Sequence, residues 1–120
     1  MAETKKLLMV DDDACKYGDK IKNFLRTKGV EMQIVEDFDG ALALFKTTKF
    51  DLILVDVTLT GAKTGLDLLQ EIRKNDKHTS VYILTAYPQY KDDAIKLGAT
   101  GFFRKPFDYT EYILKPLGLK

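Results

Sequence analysis

Leu7-Leu8-Met9-Val10-Asp11-Asp12-Asp13 runs four apolar residues directly into three carboxylates. An unbroken apolar run of this length fits a strand buried on both faces, because a half-exposed strand would alternate with polar residues. The aspartates end the apolar run. The same construction recurs downstream. Leu52-Ile53-Leu54-Val55 runs into Asp56, Val81-Tyr82-Ile83-Leu84 into Thr85-Ala86, and the brief Phe102-Phe103 leads to Lys105-Pro106. Met32-Gln33-Ile34-Val35 is a further run, interrupted by Gln33.

Between these runs apolar residues recur at helical spacing. They are Ala14, Tyr17, Ile21, Phe24 and Leu25; Phe38, Leu42 and Phe45; Leu66, Leu69 and Ile72; Tyr90, Ala94 and Leu97; and Tyr109, Tyr112 and Ile113. Gly29 and Gly98 stand where the first and fourth helices should stop, and Pro116 should break the last. Five strands alternating with five helices predict an α/β domain with a five-stranded parallel sheet covered on both faces. The continuous runs belong in the centre, and the interrupted second and short fifth strands belong at the edges. That is the flavodoxin-like doubly wound order 2-1-3-4-5.

The 120 residues suit one domain, 1–120, with a single core. Nineteen basic against 18 acidic side chains give a net charge of +1, so composition offers no field for nucleic acid or a membrane surface. One cysteine, Cys15, excludes an internal disulfide and a cysteine-rich metal site and fits a reducing compartment. No apolar stretch approaches the ~18 residues of a membrane span, and Met1–Lys6 lacks a signal-peptide core. The expectation is a soluble cytoplasmic domain.

Sheets of this order carry their chemistry at the carboxyl ends of the strands, around the switch between strands 1 and 3. Asp11, Asp12, Asp13, Asp56, Thr85 and Lys105 all fall there. Singly they are ordinary: an acidic run after a strand is commonly a solvated turn or a helix cap. Together they differ. Three converging carboxylates repel unless a cation neutralises them. An all-oxygen cluster suits Mg²⁺, with Mn²⁺ as a possible substitute, better than zinc or iron. Lys105 would add a positive charge and Thr85 a hydroxyl donor. These parts stabilise a transferring phosphoryl group, with Asp56 as the nucleophile that forms an aspartyl-phosphate.

The segments LLMVDDDA (7–14), FDLILVDVTLTG (50–61), TGLDLLQEIR (64–73), ILTAY (83–87) and GATGFFRKPF (98–107) resemble, in order and spacing, the receiver domain of two-component response regulators. The resemblance covers residues 5–115 and is chemotaxis-regulator-like. It implies that Asp56 accepts the phosphoryl group. Asp11 and Asp12 would be the acidic pair, Asp12 the direct Mg²⁺ ligand and Asp11 acting through water, with the Thr58 carbonyl completing the protein ligands. Thr85 would be the switch hydroxyl, Lys105 the phosphoryl-contacting lysine and Phe102 the switch aromatic. Pro106 would follow a cis peptide bond, and Thr58 and Tyr87 would modulate dephosphorylation. The donor would be a histidine kinase or histidine phosphotransfer protein, and the surface of helix 4, strand 5 and helix 5 would switch to control a partner or output domain. No enzyme activity is implied beyond self-catalysed phosphotransfer and slow autodephosphorylation. Nor does the resemblance imply nucleic-acid or membrane contact, and the domain would be a monomer or weak dimer.

Two departures stand out. Thr60 occupies a position where the family commonly has proline, and Gly65 follows Asp56 by one residue more than is commonest. Gly61-Ala62-Lys63-Thr64 is no phosphate-binding P-loop, because Ala62 separates glycine from lysine. His78 sits in a polar connection and reads as a surface imidazole. Three alternatives remain at this level: a receiver-like interaction module that is never phosphorylated, a small Mg²⁺-dependent aspartyl phosphatase, and a flavodoxin. The phosphatase would want a general acid where Thr58 stands, and the flavodoxin a hydroxyl- and glycine-rich loop where the aspartates stand.

Overall fold

In the computed structural model each apolar run becomes a strand: β1 (Lys5–Val10), β2 (Val30–Val35), β3 (Leu52–Asp56), β4 (Ser80–Thr85) and β5 (Gly101–Arg104). They form one parallel sheet in the order β2-β1-β3-β4-β5, as expected. The connections are α1 (Gly18–Thr27), α2 (Phe38–Thr47), α3 (Gly65–Asn75) and α4 (Lys91–Lys96), the last entered through a 3₁₀ turn, Pro88–Tyr90. A π-helical turn, Thr110–Leu114 (α5), follows β5. The structure describes residues 4–12, 18–59, 61–105 and 110–119. Asp13, Ala14, Cys15, Tyr17, Thr60, Pro106 and Tyr109 lie outside them.

Strand residues alternate between two apolar layers, as the two-residue repeat of a strand demands. Leu8, Val10, Ile53, Val55, Val81 and Ile83 pack with Phe38, Ala41, Leu68, Leu69, Ile72 and Ala94. Leu7, Met9, Leu52 and Leu54 pack on the other face with Ile21, Leu25, Ile113 and Leu114. All of β3 is buried, whereas β2 and β5 are partly exposed, which explains why the middle runs carry no polar residue. Among the described residues no helix is long and apolar enough to cross a membrane.

Register carries the strand ends to a common edge. β1 and β3 pair Met9 with Leu54 and Val10 with Val55, so one further step sets Asp11 beside Asp56. Asp56 pairs with Leu84, and Thr85 with Arg104, so Thr85 and Lys105 stand one step beyond it.

The last helical turn ends at Leu114, two residues before Pro116, in line with the expectation. A hydrogen-bonded turn follows, in which the Leu117 N–H reaches the Ile113 carbonyl at 3.1 Å and the chain turns left-handed at Gly118, where φ is +72°. There the Gly118 N–H bonds to the Lys115 carbonyl at 2.9 Å and the Leu119 N–H to the Leu114 carbonyl at 2.7 Å. This closure needs a left-handed residue, which glycine supplies without steric cost.

The opposite edge of the sheet is tied by Arg73 and Asp76. The Arg73 side chain donates to the Gly98 carbonyl at 2.8 Å, the Thr100 hydroxyl at 3.3 Å and the Asp76 carbonyl at 3.1 Å, joining the ends of α3 and α4. The Asp76 carboxylate accepts from the Thr79 hydroxyl, the Thr79 N–H and the His78 N–H. The Thr79 hydroxyl leads in holding it down to about 2, from an ordinary 3.8, helped by those two backbone donors. A value depressed in the folded state means stabilisation that is present above the unfolded value and lost as pH falls through the folded one. Asp76→Asn should therefore lower Tm at neutral pH, by a margin that shrinks between about pH 4 and 2. Thermal melts across that range check it, and a margin independent of pH would contradict it.

Candidate functional site

Asp11, Asp12 and Asp56 each offer a carboxylate oxygen, and these oxygens lie within 4.8 Å of one another. The two strand ends set this distance, because neighbouring strands run about 4.8 Å apart and the register aligns Asp11 with Asp56. Asp11 is 0% and Asp56 5% exposed, whereas Asp12 is half-buried at the mouth. Lys105 reaches in from the end of β5. Its Nζ lies 2.6 Å from Asp56 Oδ2 and 3.2 Å from Asp11 Oδ2, so one ammonium serves two carboxylates. The Thr58 N–H donates to Asp56 Oδ1 at 3.1 Å, so both Asp56 oxygens are held.

Burial pushes the Asp56 carboxyl above its ordinary value, more than the Lys105 hydrogen bond, the Thr58 N–H and the Lys105 charge draw it down; the Asp11 charge adds to the rise. Burial also works against the Lys105 ammonium, but Asp56 and Asp11 together outweigh it, and its pKa is raised. Three carboxylates face one ammonium, an excess of two negative charges when all are ionised. The set is all oxygen and contains no thiolate or imidazole, the donor chemistry of a hard divalent cation.

Of the other expected residues, Thr85 ends β4, Phe102 lies on β5 and Tyr87 in the loop after β4. Thr85 is 1% exposed; its Oγ1 accepts from the Tyr87 N–H at 3.2 Å, and its carbonyl accepts from the Lys105 N–H at 3.0 Å. Phe102 is half-buried on β5 opposite Ile83, packed against the layer that holds α2 and α3. The Tyr87 ring is 55% exposed and stands edge-to-face with Tyr90, centroids 6.4 Å apart. Thr58 is exposed, and His78 is a surface residue far from the cluster in the fold. Pro106, Thr60, Asp13 and Cys15 fall outside the described residues.

The loop after β3 leads into α3 close against the Asp56 backbone. The Gly65 N–H bonds to the Val57 carbonyl at 2.8 Å, and a Cβ at Gly65 would stand 2.0 Å from the Asp56 carbonyl oxygen. Only glycine lets α3 start this close to the Asp56 backbone. Thr64 and Asp67 form a reciprocal capping box there, so the segment that imitates a P-loop is a helix start. Lys63 lies over the Phe38 ring, 4.5 Å from its centroid, and links the loop to the beginning of α2. Neither the Lys63 contact nor the bridge from Lys105 to Asp11 was foreseen.

The response regulator receiver domain family matches residues 7–115. The chain belongs to that family. Among curated relatives, the response regulator protein PmrA of Pseudomonas aeruginosa is 34% identical over 108 residues, covering 88% of this chain and 48% of the relative. The transcriptional regulatory protein DltR of Streptococcus agalactiae is 30% identical over 112 residues, covering 92% of this chain and 49% of its own length. This receiver domain thus spans about half the length of the curated relatives it matches. Among solved structures, the response regulator TrrA of Thermotoga maritima, in complex with Mg²⁺-BeF, is 31% identical with a TM-score of 0.80, covering 97% of this chain and 99% of that one. The Vibrio cholerae chemotaxis protein CheY4 gives 31% and 0.80, covering 98% of each chain.

Lys105→Met would leave Asp56 and Asp11 facing each other without their shared cation. The expected loss of stability lies below the ~3–5 kcal/mol of a fully buried broken pair, because the Lys105 side chain is 24% exposed. Adding Asp56→Asn to that variant should restore part of the loss by removing one of the two repelling charges. Urea denaturation of the two single variants and the double variant tests this, and additive losses would count against it.

Proposed function

We propose that this receiver domain accepts a phosphoryl group on Asp56 in a Mg²⁺-dependent reaction, from a histidine kinase or histidine phosphotransfer protein. The observation that carries the proposal is the placement of the Lys105 ammonium between Asp56 and Asp11, with a third carboxylate, Asp12, in the same cluster. In the transfer the phosphohistidine P–N bond breaks as a bond forms from an Asp56 carboxylate oxygen to phosphorus. The leaving imidazole keeps the electron pair of the broken bond. The protein has little covalent chemistry to do, so positioning and charge neutralisation account for most of the rate.

Lys105 and the Thr58 N–H orient the Asp56 carboxylate through its two oxygens. Asp11, Asp12 and the Thr58 carbonyl, with Asp56 itself, would hold Mg²⁺, which supplies charge stabilisation to the transferring oxygens. The Thr85 hydroxyl already accepts from the Tyr87 N–H, so its own proton is the one to donate to a phosphoryl oxygen. The acyl phosphate adds charge and acceptor oxygens that bare Asp56 lacks, and so favours a state in which Thr85 and Lys105 turn to them. Phe102 and the surface of α4, β5 and α5 would carry that change to a partner or output domain. Tyr87, beside the site, would hinder an attacking water and prolong the phosphorylated state. Residues 1–120 act as one receiver domain, and the chain by itself turns over no external substrate.

Acetyl phosphate should add one phosphoryl group to the intact protein with Mg²⁺ present and none with the metal chelated, and Asp56→Asn should remain unmodified. Intact mass spectrometry reads this directly. Beryllofluoride with Mg²⁺ should change the NMR spectrum of the wild type and leave Asp56→Asn unaltered; no metal-dependent response to either reagent would sink the phosphoacceptor reading.

Mg²⁺ alone should raise Tm, because a ligand bound only by the folded state stabilises it. Asp12→Asn should melt higher than wild type in chelator, through relieved repulsion, yet lose most of the Mg²⁺ increment. An undiminished increment would remove Asp12 from the ligand set.

A further inference from the structure

Behind Lys105 lies a feature that the phosphoryl chemistry does not use. Tyr82 of β4, Phe103 of β5 and Tyr112 of α5 form a continuous stack of three rings. Tyr82 and Phe103 have centroids 4.7 Å apart and planes 4° from parallel; Phe103 and Tyr112 have centroids 4.3 Å apart and planes 14° from parallel. The stack crosses the open edge of the sheet and lies in the apolar layer that also buries Ile113 and Leu114. At its outer end the Tyr112 hydroxyl donates to the backbone carbonyl of Arg104, the residue immediately before Lys105.

Strand geometry explains why that carbonyl is there to be bonded. The Lys105 N–H points inward to the Thr85 carbonyl. The Arg104 carbonyl shares a trans peptide with that N–H and so points the opposite way, away from β4, on a side where the described residues offer no further strand to pair it. The Tyr112 hydroxyl supplies the missing donor, and the stack removes the freedom of the ring that carries it. Lys105 is therefore held from both sides. Its own N–H is fixed to β4, and the preceding carbonyl is fixed to α5. From this clamped position its side chain spans to Asp56, 49 residues away in sequence.

We propose that Tyr112 is a positioning residue for Lys105: through the Arg104 carbonyl it fixes the strand end from which the ammonium reaches Asp56 and Asp11. The assignment to phosphotransfer rests on the phosphoacceptor reading above. The placement of the ammonium does not. Tyr112 touches no reacting atom, so its effect passes through Lys105 alone. The coupling also runs in reverse: a Lys105 that moves toward a phosphoryl oxygen pulls on the Arg104–Tyr112 link and loads the position of α5.

Tyr112→Phe keeps the ring stack and deletes only the hydroxyl, and so avoids the unfolding that loss of the ring could cause. With one hydrogen bond removed, phosphorylation by acetyl phosphate should slow roughly fivefold or more. Mg²⁺ affinity, which depends on the carboxylates, should stay within about twofold of wild type, given that it loses no ligand. In a Lys105→Ala background Tyr112→Phe should cause no further slowing, because a residue acting only through Lys105 has nothing left to act on. Equal slowing in both backgrounds would overturn the inference, as would an unchanged rate in Tyr112→Phe.

A second readout separates this inference from the phosphoacceptor reading. In the unphosphorylated protein, ¹⁵N relaxation of the Lys105 ammonium should show greater mobility in Tyr112→Phe than in wild type. Tyr90→Phe, a ring packed against the other apolar layer, should leave it unchanged. If wild type is never phosphorylated but the ammonium loosens as stated, Tyr112 retains its positioning role and the phosphoacceptor reading fails. An ammonium equally ordered in wild type and Tyr112→Phe overturns the positioning role, whatever the outcome with acetyl phosphate.

Discussion

The structure depends on one ammonium shared by two buried carboxylates. Asp11 and Asp56 end adjacent parallel strands in register, so the sheet that makes the core also forces two like charges together out of water. In so little water that arrangement is unfavourable unless a cation sits between them. Lys105 meets the requirement, and its place at the end of β5 makes the closing strand a condition for tolerating the ends of β1 and β3. The cluster still holds more negative than positive charge with Asp12 counted, which gives it an appetite for a divalent cation.

The surroundings serve the same constraint. Gly65 permits α3 to begin against the Asp56 backbone, where any side chain would collide with the Asp56 carbonyl. The Thr58 N–H occupies one Asp56 oxygen and Lys105 the other, so the carboxylate has a single defined orientation. The Thr85 carbonyl anchors the Lys105 N–H, and the Tyr112 hydroxyl anchors the carbonyl just before it. Site and fold therefore share their supports: the same edge hydrogen bonds that finish β5 also aim the lysine. At the far edge Arg73 and Asp76 tie α3 and α4 together without touching the cluster, so stability can be perturbed there independently of the site.

Much of this was legible in the linear chain, for local reasons. The apolar runs at 7–10 and 52–55 announced central strands because burial on both faces excludes polar residues, and Gln33 marked an edge because it did not. Pro116 marked the end of the last helix, because a residue without an N–H does not extend the hydrogen-bond ladder, whereas the left-handed closure at Gly118 shows only in the backbone. The extra residue before Gly65 gave no hint of its outcome. Whether a loop bulges or closes depends on partners such as Phe38 under Lys63, which come from another connection.

The sequence alone determined the five parallel strands, their central and edge positions, the family and the residue types at the strand ends, since periodicity, helix stops and motif spacing are properties of neighbouring residues. Only the tertiary structure decided that Lys105 bridges Asp11 as well as Asp56, that Asp12 stands at the mouth while Asp11 is fully buried, and that Tyr112 fastens the strand carrying the lysine. These are matters of register and of distances of a few ångströms between residues far apart in the chain. No local pattern encodes them, because they exist only once the strands have been aligned.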